Sequence, residues 1–212
     1  MRAALIAVTA ALVTLTGCSG SPAPPPQADS GGPVIVPGRP GEEAKTISPE
    51  EAATSVPSAP VNAADVKYVQ DMVVHHRQAI DMAVLAPTRA RAAKVKAIAS
   101  RIKDSQEPEI AYLVSWLQNE GQKVPEAHHG AAHEGMAGMA SPEEMAALKA
   151  ASGEAFDRLF LDLMIKHHQG AVEMSTKVLI DGSQRAIQEL ANDVGAGQAA
   201  EIGRMRRILA EL

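Results

Sequence analysis

The chain repeats itself at an offset of 92 residues, the separation of His75 from His167, and this duplication constrains the fold more than any other feature. Without a gap, the offset places His75-His76 on His167-His168. The match continues through apolar and acidic positions on both sides of the histidines, so that the repeats span residues 62–120 and 154–212. A unit that recurs in this way indicates one supersecondary element made twice. The fold is therefore expected to consist of two equivalent halves.

Each repeat has the pattern of two amphipathic helices joined by a short turn. Apolar residues recur at helical spacing, and breaks fall at residues 87–88 and 181–183. Residues 141–144, Ser-Pro-Glu-Glu, predict a capping box at the start of a helix that runs to about Ile180. No strand pattern is found, and Pro108 predicts a kink in the second helix. Two hairpins that cannot bury their own apolar stripes predict an all-α, antiparallel four-helix bundle.

The first 60 residues have the features of a targeting signal followed by a linker. Residues 1–17 combine a positive charge with a short apolar run, which is typical of a signal peptide. Residues 15–18, Leu-Thr-Gly-Cys, resemble the lipobox of bacterial lipoproteins and imply a diacylated Cys18; the alternative is a plain signal peptide with a chance cysteine. Residues 18–60 hold ten of the 14 prolines and predict a disordered linker. We therefore expect the domain at 61–212 to be lipid-anchored at the outer face of the cytoplasmic membrane.

Composition excludes several classes of function. A formal net charge of -5 and a total of two Tyr, two Phe and one Trp count against nucleic-acid binding, which needs a basic surface and stacking rings. The single Cys excludes an intrachain disulfide framework, a cysteine-based zinc site and an iron–sulfur cluster. No pattern of a Ser–His–Asp triad, a Cys nucleophile or a phosphate-binding loop is found. Any metal chemistry must therefore use His, Met and carboxylates.

The candidate site lies on one face of the first helix of each repeat. At about 100° per residue, the His pair and its flanking methionines share an arc of roughly 120°, and one Glu per repeat lies at the edge of the inward stripe of the second helix. The predicted metal site comprises His75, His76, His167, His168, Met72, Met82, Met164, Met174, Glu109 and Glu201. The alternatives are methionines that only pack and structural His–Glu pairs. Burying four imidazoles without partners is costly, which favours the metal site.

A second constellation lies in the loop between the repeats, within residues 122–141. Its polar side chains are almost all imidazole or thioether: His128, His129, His133, Met136 and Met139. Thioethers with imidazole suit Cu(I), and imidazole with carboxylate suits Cu(II) or zinc. The mixture predicts capture of copper or silver, with Cu(I) favoured and with zinc or iron as the other possible ions. The alternative is a solvated loop in which these residues have no ligand role.

The repeated motif resembles a known bacterial family. An acidic residue, an aromatic residue three positions later and Met-x-x-His-His-x-x-Ala-x-x-Met occur at 65–82 and again at 157–174. Together with Gln-x-x-Glu-Ile downstream in each half, this pattern resembles the family named domain of unknown function 305, over about residues 62–212. The resemblance implies a ferritin-like four-helix fold, a secreted or lipid-anchored location and, for some members, periplasmic copper binding and resistance. It implicates the His and Met residues of both motifs.

Three functions remain open. The first is an extracytoplasmic lipoprotein that binds copper for sequestration, transfer or resistance, with the loop as capture point, the bundle as store and a metal-transfer protein as a possible partner. The second is a dinuclear-metal oxidoreductase that holds two ions on the His pairs and the two glutamates. The third is a metal-free structural or interaction bundle. The chain carries His-His and one Glu per hairpin, whereas di-iron bundles carry Glu-x-x-His, so we expect a binding protein rather than an enzyme.

Overall fold

The computed structural model describes residues 33–36, 43–49, 51–52, 59–126 and 136–212. The predicted signal peptide, the predicted lipidation site Cys18 and the loop histidines His128, His129 and His133 lie outside these residues. The chain divides into two compact units, Met1–Pro57 and Ser58–Leu212. Among the described helices, none combines the length and the apolar character needed to cross a bilayer.

The first unit contains a short antiparallel β-ribbon. Strand β1, Val34–Val36, pairs with β2, Lys45–Ile47, so that Val34 lies opposite Ile47. The expectation that the chain contains no strand is therefore wrong here. The cause is local, because Val, Ile and Thr favour extended backbone even in runs too short to show an alternating pattern. A ribbon of three-residue strands with exposed side chains has little apolar burial to stabilise it.

The second unit is helical, and four of its helices are long. In chain order, the described helices of this unit are α1 Ala63–Ala83, α2 Ala86–Arg89, α3 Ala93–Asn119, α4 Pro142–Ala150, α5 Gly153–Asp181 and α6 Arg185–Ala210, of which α2 and α4 are short. Helix α1 packs on α3, α5 packs on α6, and α1 also packs on α5. The predicted all-α class, with one helical hairpin from each repeat, is thus confirmed. The ferritin-like designation stays a prediction.

Helix starts and interruptions follow local chemistry. The capping box predicted at residues 141–144 is present, with the Ser141 hydroxyl accepting from the Glu144 N–H at 3.1 Å. The helix that it starts does not continue to Ile180, because α4 ends at Ala150 and α5 begins only at Gly153, where φ is +64°. Glycine adopts this left-handed backbone without the steric cost of a Cβ, and the break follows. Helix α3 continues through Pro108, whose ring lies on an exposed face.

The two hairpins cap each other's helices. Asp65 on α1 is fully buried and accepts hydrogen bonds from the backbone N–H groups of residues 183–184, at 3.2 and 3.1 Å, at the start of α6. Asp157, its repeat equivalent on α5, accepts from the N–H groups of residues 91–92, at 3.1 and 2.8 Å, at the start of α3. Neither α3 nor α6 has a side-chain cap from its own N-cap residue. Each acidic residue therefore satisfies amides that would otherwise be unpaired in the other hairpin.

Candidate metal centre

The four histidines of the repeated motif form a polar layer within an apolar core. All four are fully buried: His75 and His76 on α1, His167 and His168 on α5. On each helix the residue three positions before the pair belongs to one apolar cluster, and the residue three positions after it belongs to the other. The layer therefore divides the core of the bundle in two. Packing alone does not account for four imidazoles at this depth, because each must be desolvated.

One histidine from each hairpin meets at the centre of the layer. The rings of His75 and His167 lie with centroids 3.7 Å apart and planes inclined by 37°. Burial, with repulsion from neighbouring imidazoles as a smaller cause, lowers the pKa of His75 to about 3 and that of His167 well below its ordinary value. Both rings are therefore neutral at physiological pH. A neutral imidazole has one ring nitrogen with a free lone pair, which is the form that binds metals.

The outer histidine of each pair is held by a glutamate of the same hairpin. His76 Nε2 lies 2.7 Å from Glu109 Oε2, and His168 Nε2 lies 2.8 Å from Glu201 Oε2. Because an ionised carboxylate only accepts hydrogen bonds, Nε2 carries the hydrogen in each ring and Nδ1 keeps its lone pair. Burial lowers the pKa of His168, although Glu201 acts in the opposite direction. Sequence analysis predicted both glutamates at the edge of the inward stripe, and in the structure each is hydrogen-bonded to a histidine.

Several buried polar atoms of this layer and of two buried glutamines have no hydrogen-bond partner among the described residues. They are Nδ1 of His75, His76 and His168, both ring nitrogens of His167, both amide atoms of Gln106, and Oε1 of Gln198. A buried polar atom without a partner costs about 1–3 kcal/mol, so such a cluster needs an explanation. Gln106 and Gln198 occupy equivalent positions of the repeats and were not among the predicted site residues. Their recurrence as amides on an inward apolar stripe is the sequence signal that could have identified them.

The methionines line the apolar clusters on the two sides of the layer. Met72, Met82 and Met164 are fully buried, and Met174 is half-buried. Met82 and Met164 belong to one cluster, while Met72 and Met174 pack in the other. Among the residues that the structure describes, no three or more His, Cys, Asp or Glu side chains are grouped so as to hold a metal ion. The side chains on the layer and its flanks are imidazoles and soft thioethers, a set that fits Cu(I) or Ag(I) better than a hard cation.

The end of the His/Met-rich loop is hydrogen-bonded to this layer. We call residues 136–140 the strap; its Met136 and Met139 are half-buried. The Ala137 carbonyl oxygen lies 3.2 Å from His75 Nε2 and accepts its hydrogen. Gln78 exchanges two hydrogen bonds with the Ala140 backbone, at 2.8 and 2.9 Å.

Two glycines let the strap approach α5 closely. A Cβ on Gly170 would overlap the carbonyl group of Ala137, and Gly138 has a φ of +77° with its Cα facing backbone atoms of α5. Glycine is required at such positions because any side chain would collide with backbone. Gly170 is the repeat equivalent of Gln78, so the strap crosses the bundle where the two halves differ. Sequence reasoning did not find this contact, since it joins segments with no shared periodicity.

Comparisons with known proteins agree with this architecture. The family model "Domain of unknown function (DUF305)" matches residues 65–209. The crystal structure of a DUF305 fragment from Deinococcus radiodurans is 34% identical, covering 73% of this chain and 100% of that chain with a TM-score of 0.67. A putative secreted DUF305 protein from Streptomyces coelicolor is 29% identical, with coverages of 70% and 93% and a TM-score of 0.63.

A third similar structure is CopM in its Cu(II)-bound form, at 30% identity, with 69% of this chain and 96% of that chain covered and a TM-score of 0.59. CopM structures in Cu(I)-bound and Ag-bound forms are also similar to this chain. No curated protein matches the chain in sequence. With its family model matched over most of the domain, the chain belongs to the DUF305 family.

Proposed function

We propose that this protein binds Cu(I), and by the same chemistry Ag(I), at the buried histidine layer. The observation that carries the proposal is the set of four fully buried imidazoles whose Nδ1 atoms have no partner among the described residues. The similarity to CopM, which has been crystallised with Cu(I), Cu(II) and Ag, supports the choice of ion. Soft monovalent ions prefer the imidazole and thioether donors that this layer and its flanks provide.

The protonation state of the layer favours binding at neutral pH. A metal ion competes with protons for imidazole nitrogens, so histidines with a lowered pKa bind metals without proton release. His75 and His167 meet this condition through burial. His76 and His168 would offer Nδ1, because Glu109 and Glu201 hold the opposite nitrogen. The flanking thioethers of Met72, Met82, Met164 and Met174 complete the candidate donor set.

The biological setting is part of the same proposal. A lipid anchor at Cys18 and a Pro-rich tether at 18–60 would place the domain outside the cytoplasmic membrane, where sequestration or transfer of copper confers resistance. The loop residues His128, His129 and His133, with Met136 and Met139, would capture ions and pass them on. Partition of the processed chain into membranes that depends on Cys18 tests the anchor; partition that survives loss of Cys18 argues against it.

The alternative of a dinuclear oxidoreductase has less support from the geometry. Each carboxylate accepts a hydrogen bond from a histidine of its own hairpin, which occupies an oxygen that a bridging ligand would use to hold an ion. The arrangement therefore suits storage or transfer of an ion better than redox chemistry at two bridged ions.

The experiment titrates the purified protein with Cu(I) against a competing chelator and records thermal unfolding with and without the ion. The variant His75→Leu/His167→Leu replaces the two central imidazoles with apolar side chains. It should fold, because it removes three buried nitrogens that have no partner among the described residues and gives up one hydrogen bond, from His75 Nε2 to the Ala137 carbonyl. We expect it to lose most of the copper-dependent stabilisation, which for the parent protein is about 4 kcal/mol at a thousandfold excess over Kd.

The loop variant His128→Ala/His129→Ala/His133→Ala is the control, because it removes three imidazoles and leaves the layer intact. We expect this variant to keep the copper-dependent stabilisation of the bundle. If His75→Leu/His167→Leu keeps the copper affinity and the copper-dependent stabilisation of the parent protein, the proposal that the layer binds the ion is refuted.

A further inference from the structure

Ions that reach the histidine layer must pass a barrier, because all four imidazoles are fully buried. We propose that exchange between solvent and the layer takes place at Glu109 and not at its repeat equivalent Glu201. This inference rests on the proposed function and adds to it a single point of entry for ions, at Glu109, which we call the port. The port breaks the two-fold symmetry that the duplicated sequence suggests.

The two glutamates differ in exposure although their contacts are the same. The Glu109 side chain is 36% exposed, whereas that of Glu201 is 9% exposed. The next residue shows the same difference, since Ile110 is half-buried and its equivalent Ile202 is buried. Helix α3 is therefore more open to solvent at this level than α6. Of the two carboxylates that bind the layer, Glu109 alone reaches solvent substantially.

A second approach to the layer, over α1 and α5, is closed by the strap. On that side His75 Nε2 is bound by the Ala137 carbonyl, and backbone of the strap lies directly against Gly170. Gln78 holds the strap through two buried hydrogen bonds to Ala140. An ion could enter there only if these contacts opened together. Entry at Glu109 requires no backbone movement of this kind.

The chemistry of a carboxylate suits an entry point. An exposed negative charge raises the local concentration of cations and increases their association rate. Carboxylate oxygen is a hard ligand that holds a soft ion weakly, so the ion is released readily to a better donor. That donor is on the adjacent residue, because Glu109 Oε2 lies 2.7 Å from the Nε2–H of His76, whose Nδ1 has no partner among the described residues. An ion that Glu109 binds at the surface and releases inward meets the imidazole of His76 next, and Nδ1, which keeps its lone pair, is the atom that would bind it.

The test compares rates of Ag(I) and Cu(I) uptake by the full-length protein in stopped-flow experiments, beside the equilibrium affinities. Glu109→Gln and Glu201→Gln are a matched pair, because each removes one charge and leaves an amide that still accepts from the histidine. Glu107→Gln controls for loss of an exposed charge two residues away on the same helix. We expect Glu109→Gln to slow uptake roughly tenfold or more relative to Glu201→Gln, within the range of electrostatic steering, and Glu107→Gln to match the parent protein.

A fourth variant distinguishes the two routes. Gln78→Ala loosens the strap, and we expect it to leave the uptake rate unchanged because ions do not pass beneath the strap. Equal slowing by Glu109→Gln and Glu201→Gln, or faster uptake by Gln78→Ala, overturns the assignment of the port. Failure of the parent protein to bind either ion would instead refute the proposed function, so the two failures are distinguishable.

Discussion

The reciprocal caps make a quantitative prediction about the stability of the domain. Asp65 is fully buried and accepts four hydrogen bonds, from the N–H groups of Asn62, Ser183 and Gln184 and from the Ser183 hydroxyl. Asp65→Asn keeps the shape but removes the charge and turns an NH₂ group toward these donors. A hydrogen bond to a charged group contributes about 1.5–3 kcal/mol, so the loss of one or two gives a decrease of about 3 kcal/mol in the free energy of unfolding.

The assay is urea unfolding of the metal-free protein followed by far-UV circular dichroism, with thermal unfolding in parallel. A loss of 3 kcal/mol in a domain of this size lowers Tm by roughly 6–12 °C. Asp157→Asn, which removes a partner of two amides, should cost about half as much. The exposed Asp193→Asn on α6 is the control and should change stability by less than about 0.5 kcal/mol. The explanation through interhairpin caps is wrong if Asp65→Asn costs no more than this control.

Two further predictions concern the strap and the response to acid. Gly170→Ala should destabilise the domain by about 2 kcal/mol, because the new methyl group overlaps the Ala137 carbonyl. Gly197→Ala is the control, since it has open space around it and should stabilise the domain by up to about 1 kcal/mol through helix propensity. Equal melting temperatures for the two variants would contradict the close contact between the strap and α5. The lowered pKa values of His75 and His167 mean that the unfolded chain binds more protons than the folded domain, so stability is complete above about pH 6.5 and falls as the pH drops toward 3. Urea unfolding should show up to about 1.4 kcal/mol lost per pH unit for each histidine, and stability that stays constant from pH 6.5 to 4 would argue against neutral buried imidazoles.

The parts of the fold that the sequence predicted are those governed by local periodicity and by the repeat. The helical pattern located the long helices, the 92-residue offset paired them as two hairpins, and residues 141–144 identified a helix start that is present. The break at residues 151–153 and the strand at 34–36 were missed, because each depends on a few residues whose backbone preferences compete with a longer pattern.

The candidate site, too, could be predicted from the sequence only where it depends on helical periodicity. Inward placement of the histidines followed from helix geometry, but the meeting of His75 with His167 depends on how two hairpins pack. The cap made by Asp65 joins residues 118 positions apart in the chain, and the strap crosses the bundle at a position where the repeats differ. Such contacts have no periodic signature in a single sequence, so only the folded structure shows them.

The exchange of caps between hairpins has a consequence for assembly. In a chain with one repeat, the acidic residue would lose the amides that it binds in the other hairpin, and the first amides of the second helix would lack a partner. Two separate copies would satisfy each other completely through a self-complementary, two-fold interface. Joining both copies in one chain keeps that interface at an effective concentration independent of dilution. The joined copies are then free to diverge, as Gln78 and Gly170 have, so that one side of a once symmetric assembly holds the strap by hydrogen bonds and the other by close backbone contact.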